Sequence, residues 1–214
     1  MTVNINNLNK ITSEISKFKQ RCSLLIVTKK RNIDDIKFLL DQGYKIFGEN
    51  RIQEAEKKYS FLREISNFSL HLIGPLQSNK CLIALRLFDT IQSIDREKIV
   101  DLISKEIEKN SPNLRTKEFY LQVNIGNEIQ KSGVSEEKLY SLYNYAVNKK
   151  LNIIGLMCIP PKNDNPSFYF EKMTKLRDKI DSDLILSMGM SDDYSYALKQ
   201  KTNMIRVGSL IFDE

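Results

Sequence analysis

Leu24-Leu25-Ile26-Val27-Thr28-Lys29 is a short apolar run that stops on a lysine. It is too short for a helix and rich enough in branched residues for a buried strand. The next stretch, Asn32-Ile33-Asp34-Asp35-Ile36-Lys37-Phe38-Leu39-Leu40, has the polar start and apolar spacing of an amphipathic helix. Strand, loop, helix in that order puts Lys29 at the carboxyl end of a parallel strand, the rim where α/β proteins hold their ligands. On its own, Lys29 with Lys30 and Arg31 reads as a basic solvated loop. The later strand ends decide between the two readings.

Working outward, residues 5–19 carry Ile5, Leu8, Ile11, Ile15 and Phe18 at helical spacing and form an extra N-terminal helix. After the strand at 24–28 and the helix at 32–42, Gly43 stops the helix. Strands are then predicted at 44–47, 70–73, 90–94, 119–124, 153–157, 184–187 and 204–207. Helices lie between them, one of them over 51–59, one capped by Asp95, one opened by Ser135 and one by Ser191-Asp192-Asp193. Strand and helix alternate eight times, with short strands apolar on both faces. This is the pattern of a parallel sheet covered by helices. With no break in composition, it predicts a single-domain (β/α)8 TIM barrel of the α/β class over residues 1–214. An open doubly wound sheet is the alternative. The Gly-x-Gly-x-x-Gly turn of its dinucleotide-binding form is missing after the first strand.

Composition narrows the function classes. The net charge of +6 is spread along the chain, with no basic block of the kind that binds nucleic acid. Cys22, Cys81 and Cys158 are isolated and odd in number, and His71 is the only histidine, so neither a zinc site nor a disulfide framework is expected. A reducing cytoplasm is the expected setting. The polar N-terminus has no signal core, and no run of about eighteen apolar residues predicts a membrane span.

If the barrel closes, its rim carries Lys29, Asn50, His71, Ser93, Asn124, Met157, Ser187 and Arg206. Ser187-Met188-Gly189-Met190-Ser191 joins a loop to a helix start, and Arg206-Val207-Gly208-Ser209 ends in a glycine turn where backbone can approach a ligand. Each segment alone is an ordinary turn. Together, after strands seven and eight, they stand where such barrels hold phosphate. An anion cradle next to Lys29 across the closing seam favours a phosphate-bearing aldehyde held as a Schiff base. An amine in a poorly hydrated pocket beside a cation is more readily neutral and nucleophilic. Pyridoxal 5′-phosphate (PLP) fits that chemistry.

At this point the chain resembles the pyridoxal phosphate homeostasis proteins over nearly its full length. The resemblance rests on Val27-Thr28-Lys29, Phe47-Gly48-Glu49-Asn50 with Gln53-Glu54, and the run from His71 to Lys80. It continues in Gln122-Val123-Asn124, Lys131-Ser132-Gly133, Ser187-Met188-Gly189-Met190-Ser191-Asp192-Asp193-Tyr194 and Arg206-Val207-Gly208-Ser209. It implies a barrel like the amino-terminal domain of alanine racemase, with PLP on Lys29, Asn50 in the site, and the phosphate held by the Ser187–Ser191 loop and the Gly208-Ser209 turn. It implies that Arg206 faces the pyridine nitrogen. An arginine does not exchange a proton there, so the ring is a blunted electron sink.

The resulting expectation is a monomeric PLP-binding protein of vitamin B6 and amino-acid homeostasis, without robust catalysis, with PLP-dependent apo-enzymes as recipients of the cofactor. The competing function is a PLP-dependent amino-acid racemase. In alanine racemase the second acid/base comes from a tyrosine of another domain, for which a chain of this length has no room. A nucleic-acid binder rests on charge alone. His71 reads as a structural histidine near the rim, Asp192-Asp193 as a helix cap, Asn79-Lys80 as a solvated helix start, and the tyrosines at 140, 143 and 145 as helix packing.

Overall fold

The computed structural model describes residues 2–212. After α1 (Ile5–Ser16), the chain builds β1 (Ser23–Val27), α2 (Ile33–Asp41), β2 (Ile46–Glu49), α3 (Ile52–Ile65) and β3 (Ser69–Leu72). A short 3-10 turn leads into α4 (Cys81–Leu87), β4 (Thr90–Ile94), α5 (Glu97–Asn110) and β5 (Glu118–Val123). The second half adds α6 (Glu136–Asn148), β6 (Ile153–Cys158), α7 (Pro166–Ile180), β7 (Ile185–Ser187), α8 (Tyr194–Lys199) and β8 (Met204–Val207). The eight strands form one closed parallel barrel in sequence order. The (β/α)8 barrel with a leading helix, expected from the alternation of strands and helices, is therefore the fold.

The seam between first and last strands sets the site. Leu24 pairs with Ile205, Leu25 with Arg206 and Ile26 with Val207. Alternation along a strand then sorts the side chains. Leu25, Val27 and Met204 cluster inside the barrel, while Ile26, Ile205 and Val207 belong to the larger core between barrel and helices. Each such buried aliphatic side chain contributes about 1.5–3 kcal/mol. The interior also buries His71, Gln92, Ser187 and Arg206, a polar column where barrels are ordinarily filled with branched apolar side chains.

The termini are tied near each other. Val3 bridges Phe212, and the Asn4 N–H donates to the Ile211 carbonyl at 2.7 Å. Leu8 and Ile11 are the buried face of α1.

Several boundaries differ from the reading of the sequence. Strand β2 begins at Ile46, because Gly43 (φ +88°) and the Tyr44 N–H to Leu39 carbonyl bond (3.0 Å) still belong to the end of α2. It runs on through Gly48 and Glu49, which pair with His71 and Leu72. Helix α1 stops at Ser16, and α3 extends to Ile65. Asp95 does not cap α5: the N-cap is Arg96, whose guanidinium pairs with the Asp95 carboxylate at 2.5 Å. Helix α8 starts at Tyr194 and is 6 residues long, fewer than two turns.

Candidate functional site

A cavity of about 280 Å³ opens at the C-terminal mouth of the barrel, between the ends of β1 and β8. Six of the seven residues predicted for the site line it: Lys29, Asn50, Ser191, Arg206, Gly208 and Ser209. Ile73, Ile159 and Met190 supply apolar wall. A second hollow of about 390 Å³ shares Lys29, Asn50, Gly208 and Ser209 and adds Lys30, Arg31 and Arg51, so the mouth is basic on that side. Lys29 stands at the wall common to both. It is exposed, not sunk in the poorly hydrated pocket expected from the sequence, because β1 ends at Val27 and the lysine lies two residues beyond the barrel.

Arg206 is the buried cation of the site. Its Nη1 donates to the Ser187 carbonyl (2.6 Å) and hydroxyl (2.9 Å), and its Nη2 to the Cys158 carbonyl (2.9 Å). Three of its five N–H donors are thereby committed, leaving Nε–H and one Nη2 hydrogen. Burial lowers the Arg206 pKa from its ordinary value, and the Arg206 charge opposes the burial that pushes the Cys158 thiol up to about 12. Guanidinium remains charged across any working pH.

Ser187 lies behind the cavity and does not line it. Its hydroxyl is buried, donates to Gln92 Oε1 (2.7 Å) and accepts from Arg206. The loop that follows is shaped by Gly189 (φ +95°), whose carbonyl accepts from the Arg206 N–H at 2.9 Å, and by Asp193, whose Oδ1 accepts from the Met190 N–H at 2.6 Å. Burial raises the Asp193 carboxyl from its ordinary value. A Cβ on Gly208 would meet the Val27 carbonyl at 3.0 Å and the Val27 Cβ at 3.1 Å, so the turn lies tight against β1 on the Lys29 side.

Other rim residues separate from the site. His71 is buried inside the barrel below the rim, bonded to Gln92 and Ser69, and burial depresses its pKa to about 4. Asn124 closes its own loop, donating to the Glu128 carbonyl at 2.9 Å. Met157 is fully buried, and the buried Ser93 is not among the cavity residues. Tyr143 and Tyr145 pack against the core and donate to Asp181 and Asp101, while Tyr140 is exposed.

The sequence reading missed a buried polar cluster directly beneath Lys29. Lys58 Nζ donates to the Thr28 carbonyl (2.8 Å), to Glu49 Oε1 (2.5 Å) and to Glu54 Oε1 (2.8 Å). Thr28 Oγ1 donates to Glu49 Oε1 (2.7 Å), which leaves Tyr59 to donate its hydroxyl hydrogen to Thr28 (2.6 Å). Glu54 also accepts from the Lys30 N–H, and Lys30 sits at φ +61°. The peptides on both sides of Lys29 are thus clamped by one ammonium. Burial raises the Glu49 carboxyl despite Lys58; for the more open Glu54, Lys58 and the Lys30 N–H outweigh burial and hold it low. A signal existed: Ala55, Lys58 and Leu62 fall on one helical stripe, so Lys58 interrupts the apolar face of α3.

Among the described residues there is no group of three or more His, Cys, Asp or Glu side chains placed to hold a metal ion, and no helix is long and apolar enough to cross a membrane.

A closed barrel with an amine and a buried guanidinium at the seam between its first and last strands defines the class. The family described as alanine racemase, N-terminal domain, matches residues 6–213. Within that class the relatives are specific. The pyridoxal phosphate homeostasis protein of Aquifex aeolicus is 36% identical over 181 residues, covering 80% of this chain and 78% of the relative. That of Haemophilus influenzae is 34% identical, covering 97% and 94%. PipY of Synechococcus elongatus, solved with PLP bound, superposes with a TM-score of 0.84 at 27% identity, covering 97% of this chain and all of that one. Alanine racemase of Clostridium difficile, 11% identical with a TM-score of 0.75, shares the fold, and this chain spans 58% of it. The chain belongs to the pyridoxal phosphate homeostasis family.

Proposed function

We propose that this chain binds pyridoxal 5′-phosphate at the barrel mouth, covalently through Lys29, and serves intracellular PLP (vitamin B6) and amino-acid homeostasis without robust catalysis of its own. When bound, PLP supplies an aldehyde that an amine captures reversibly and a ring that can draw off electrons. The observation that carries the reading is the meeting of an amine, a buried guanidinium with two uncommitted N–H donors and a tight glycine turn around one cavity.

The residues fit the group. Lys29 is the amine, Asn50 the neighbouring polar wall, and Ser191, Gly208 and Ser209 line the side expected for phosphate. Ser187 acts by holding Arg206. Arg206 would meet the ring nitrogen, and as a donor that does not give up its proton it would leave that nitrogen unprotonated. A ring so held is a weak electron sink, which supports binding over carbanion chemistry. Racemisation also needs an acid/base opposite Lys29; among the described residues no tyrosine or histidine lines the cavity, and the carboxylate that does, Asp192, is exposed at the loop before α8. Delivery to PLP-dependent apo-enzymes, a cytoplasmic setting and a monomeric single domain over 1–214 complete the proposal.

The test is trapping. The purified protein is incubated with PLP, reduced with borohydride and mapped by peptide mass. The expected result is a single phosphopyridoxyl adduct on Lys29. An adduct spread over surface lysines, or none, would sink the site.

A further inference from the structure

The only histidine of the chain ends a hydrogen-bonded line that crosses the barrel interior. From Arg206 Nη1 the line passes to Ser187 Oγ (2.9 Å) and on to Gln92 Oε1 (2.7 Å). Gln92 Nε2 lies 2.8 Å from His71 Nδ1, and His71 Nε2 lies 3.0 Å from Ser69 Oγ. Arg206, Ser187, Gln92 and His71, from β8, β7, β4 and β3, are all buried.

One end decides the polarity of the whole line. Guanidinium only donates, so Ser187 Oγ accepts from it and sends its own hydrogen to Gln92 Oε1. The Gln92 amide then turns its NH2 group toward His71. A second contact agrees: Nε2 lies 3.3 Å from the Met204 sulfur, a weak acceptor. The opposite amide orientation would set oxygen against sulfur and leave the Ser187 hydroxyl hydrogen with no acceptor. His71 Nδ1 must therefore be bare, and Nε2 must carry the hydrogen that goes to Ser69.

We infer that Gln92 is a positioning residue for Arg206: it holds Ser187, which with its carbonyl and hydroxyl fixes both Nη1 hydrogens, so that the remaining donors of Arg206 are aimed into the cavity, and His71 closes the line as the neutral Nε2–H tautomer. This rests on the PLP reading only for what Arg206 meets. The neutral ring that the line requires agrees with the depressed His71 pKa, where burial outweighs Asp89, the charged side chain bearing on the ring.

The experiment has two arms. In ligand-free, 15N-labelled protein at pH 7 the single imidazole is expected to show a protonated Nε2 and a bare Nδ1. Gln92→Glu, which presents only acceptors, is expected to draw a second proton onto the ring. A protonated Nδ1 in the wild type, or an unchanged ring in Gln92→Glu, would overturn the line. In the second arm Gln92→Leu is titrated with PLP. Borohydride should still trap the cofactor on Lys29, while Kd rises about tenfold, the scale of one lost buried hydrogen bond, and the visible band shifts. An unchanged Kd and band in a folded variant would refute the positioning role. If Gln92→Leu does not fold, Ser187→Ala takes its place with the same expected outcomes. A wild-type protein that takes up no PLP would sink the cofactor reading alone, since the ligand-free ring nitrogens judge the line independently.

Discussion

At the scale of single residues, three groups in and around the site differ in their physics. Lys29 is exposed and makes no structural bond of its own, so Lys29→Ala is expected to abolish covalent PLP while urea unfolding moves by less than about 0.5 kcal/mol, as at other surface positions. Lys58 is the opposite case. Lys58→Met strands Glu49, whose Oε2 already lacks a partner, and a loss of about 3–5 kcal/mol is expected in the same assay. Adding Glu49→Leu should recover part of that loss, because the uncompensated buried charge goes with it. His71 gives a pH dependence. Its folded pKa of about 4 lies below the ordinary 6.5, so the unfolded chain takes the proton first as pH falls. Stability is therefore lost on acidification through that window, by about 2 kcal/mol between pH 7 and pH 5. Urea unfolding of His71→Gln at both values should show that share of the slope removed.

At the scale of elements, the loop between β7 and α8 has little freedom. Gly189 sits at φ +95°, and a Cβ there would lie 2.6 Å from the Ala197 side chain and 3.0 Å from the Tyr194 backbone. Gly189→Ala is expected to cost roughly 1–3 kcal/mol for the backbone strain, with the clash added. It should also weaken PLP binding, because the Gly189 carbonyl is bonded to the Arg206 N–H. Calorimetry read beside a PLP titration checks both effects. The same element shows how far a motif can be read. Ser187 to Ser191 is visible in sequence as a loop, but strand alternation turns Ser187 inward to Gln92 and Arg206, while Ser191 reaches the cavity.

At the scale of the molecule, the barrel supplies an amine and a cation at one seam, and among the described residues no tyrosine or histidine lines the cavity beside the amine. Incubation of the PLP-loaded protein with L-alanine is expected to give no D-alanine above the rate of free PLP, assayed by chiral chromatography. Turnover that Lys29→Ala removes would instead promote the racemase reading. Sedimentation is expected to give one species near the chain mass of 24.9 kDa.

What the sequence determined by itself was the order of elements and which segments meet at the mouth of the barrel. Eight short apolar runs separated by amphipathic stretches admit few folds, and a parallel barrel brings Lys29, Arg206 and Gly208-Ser209 together because β1 must pair with β8. What only the tertiary structure decided were the partners of buried polar groups. Position can mark such a residue as inward, as the apolar stripe of α3 marks Lys58, but nothing in the linear order of Lys58, Glu49 or Gln92 names the partner each one meets. Their roles come from contacts as distant in sequence as Ser187 to Gln92, and a buried polar atom has to find its partner wherever the fold brings one within reach.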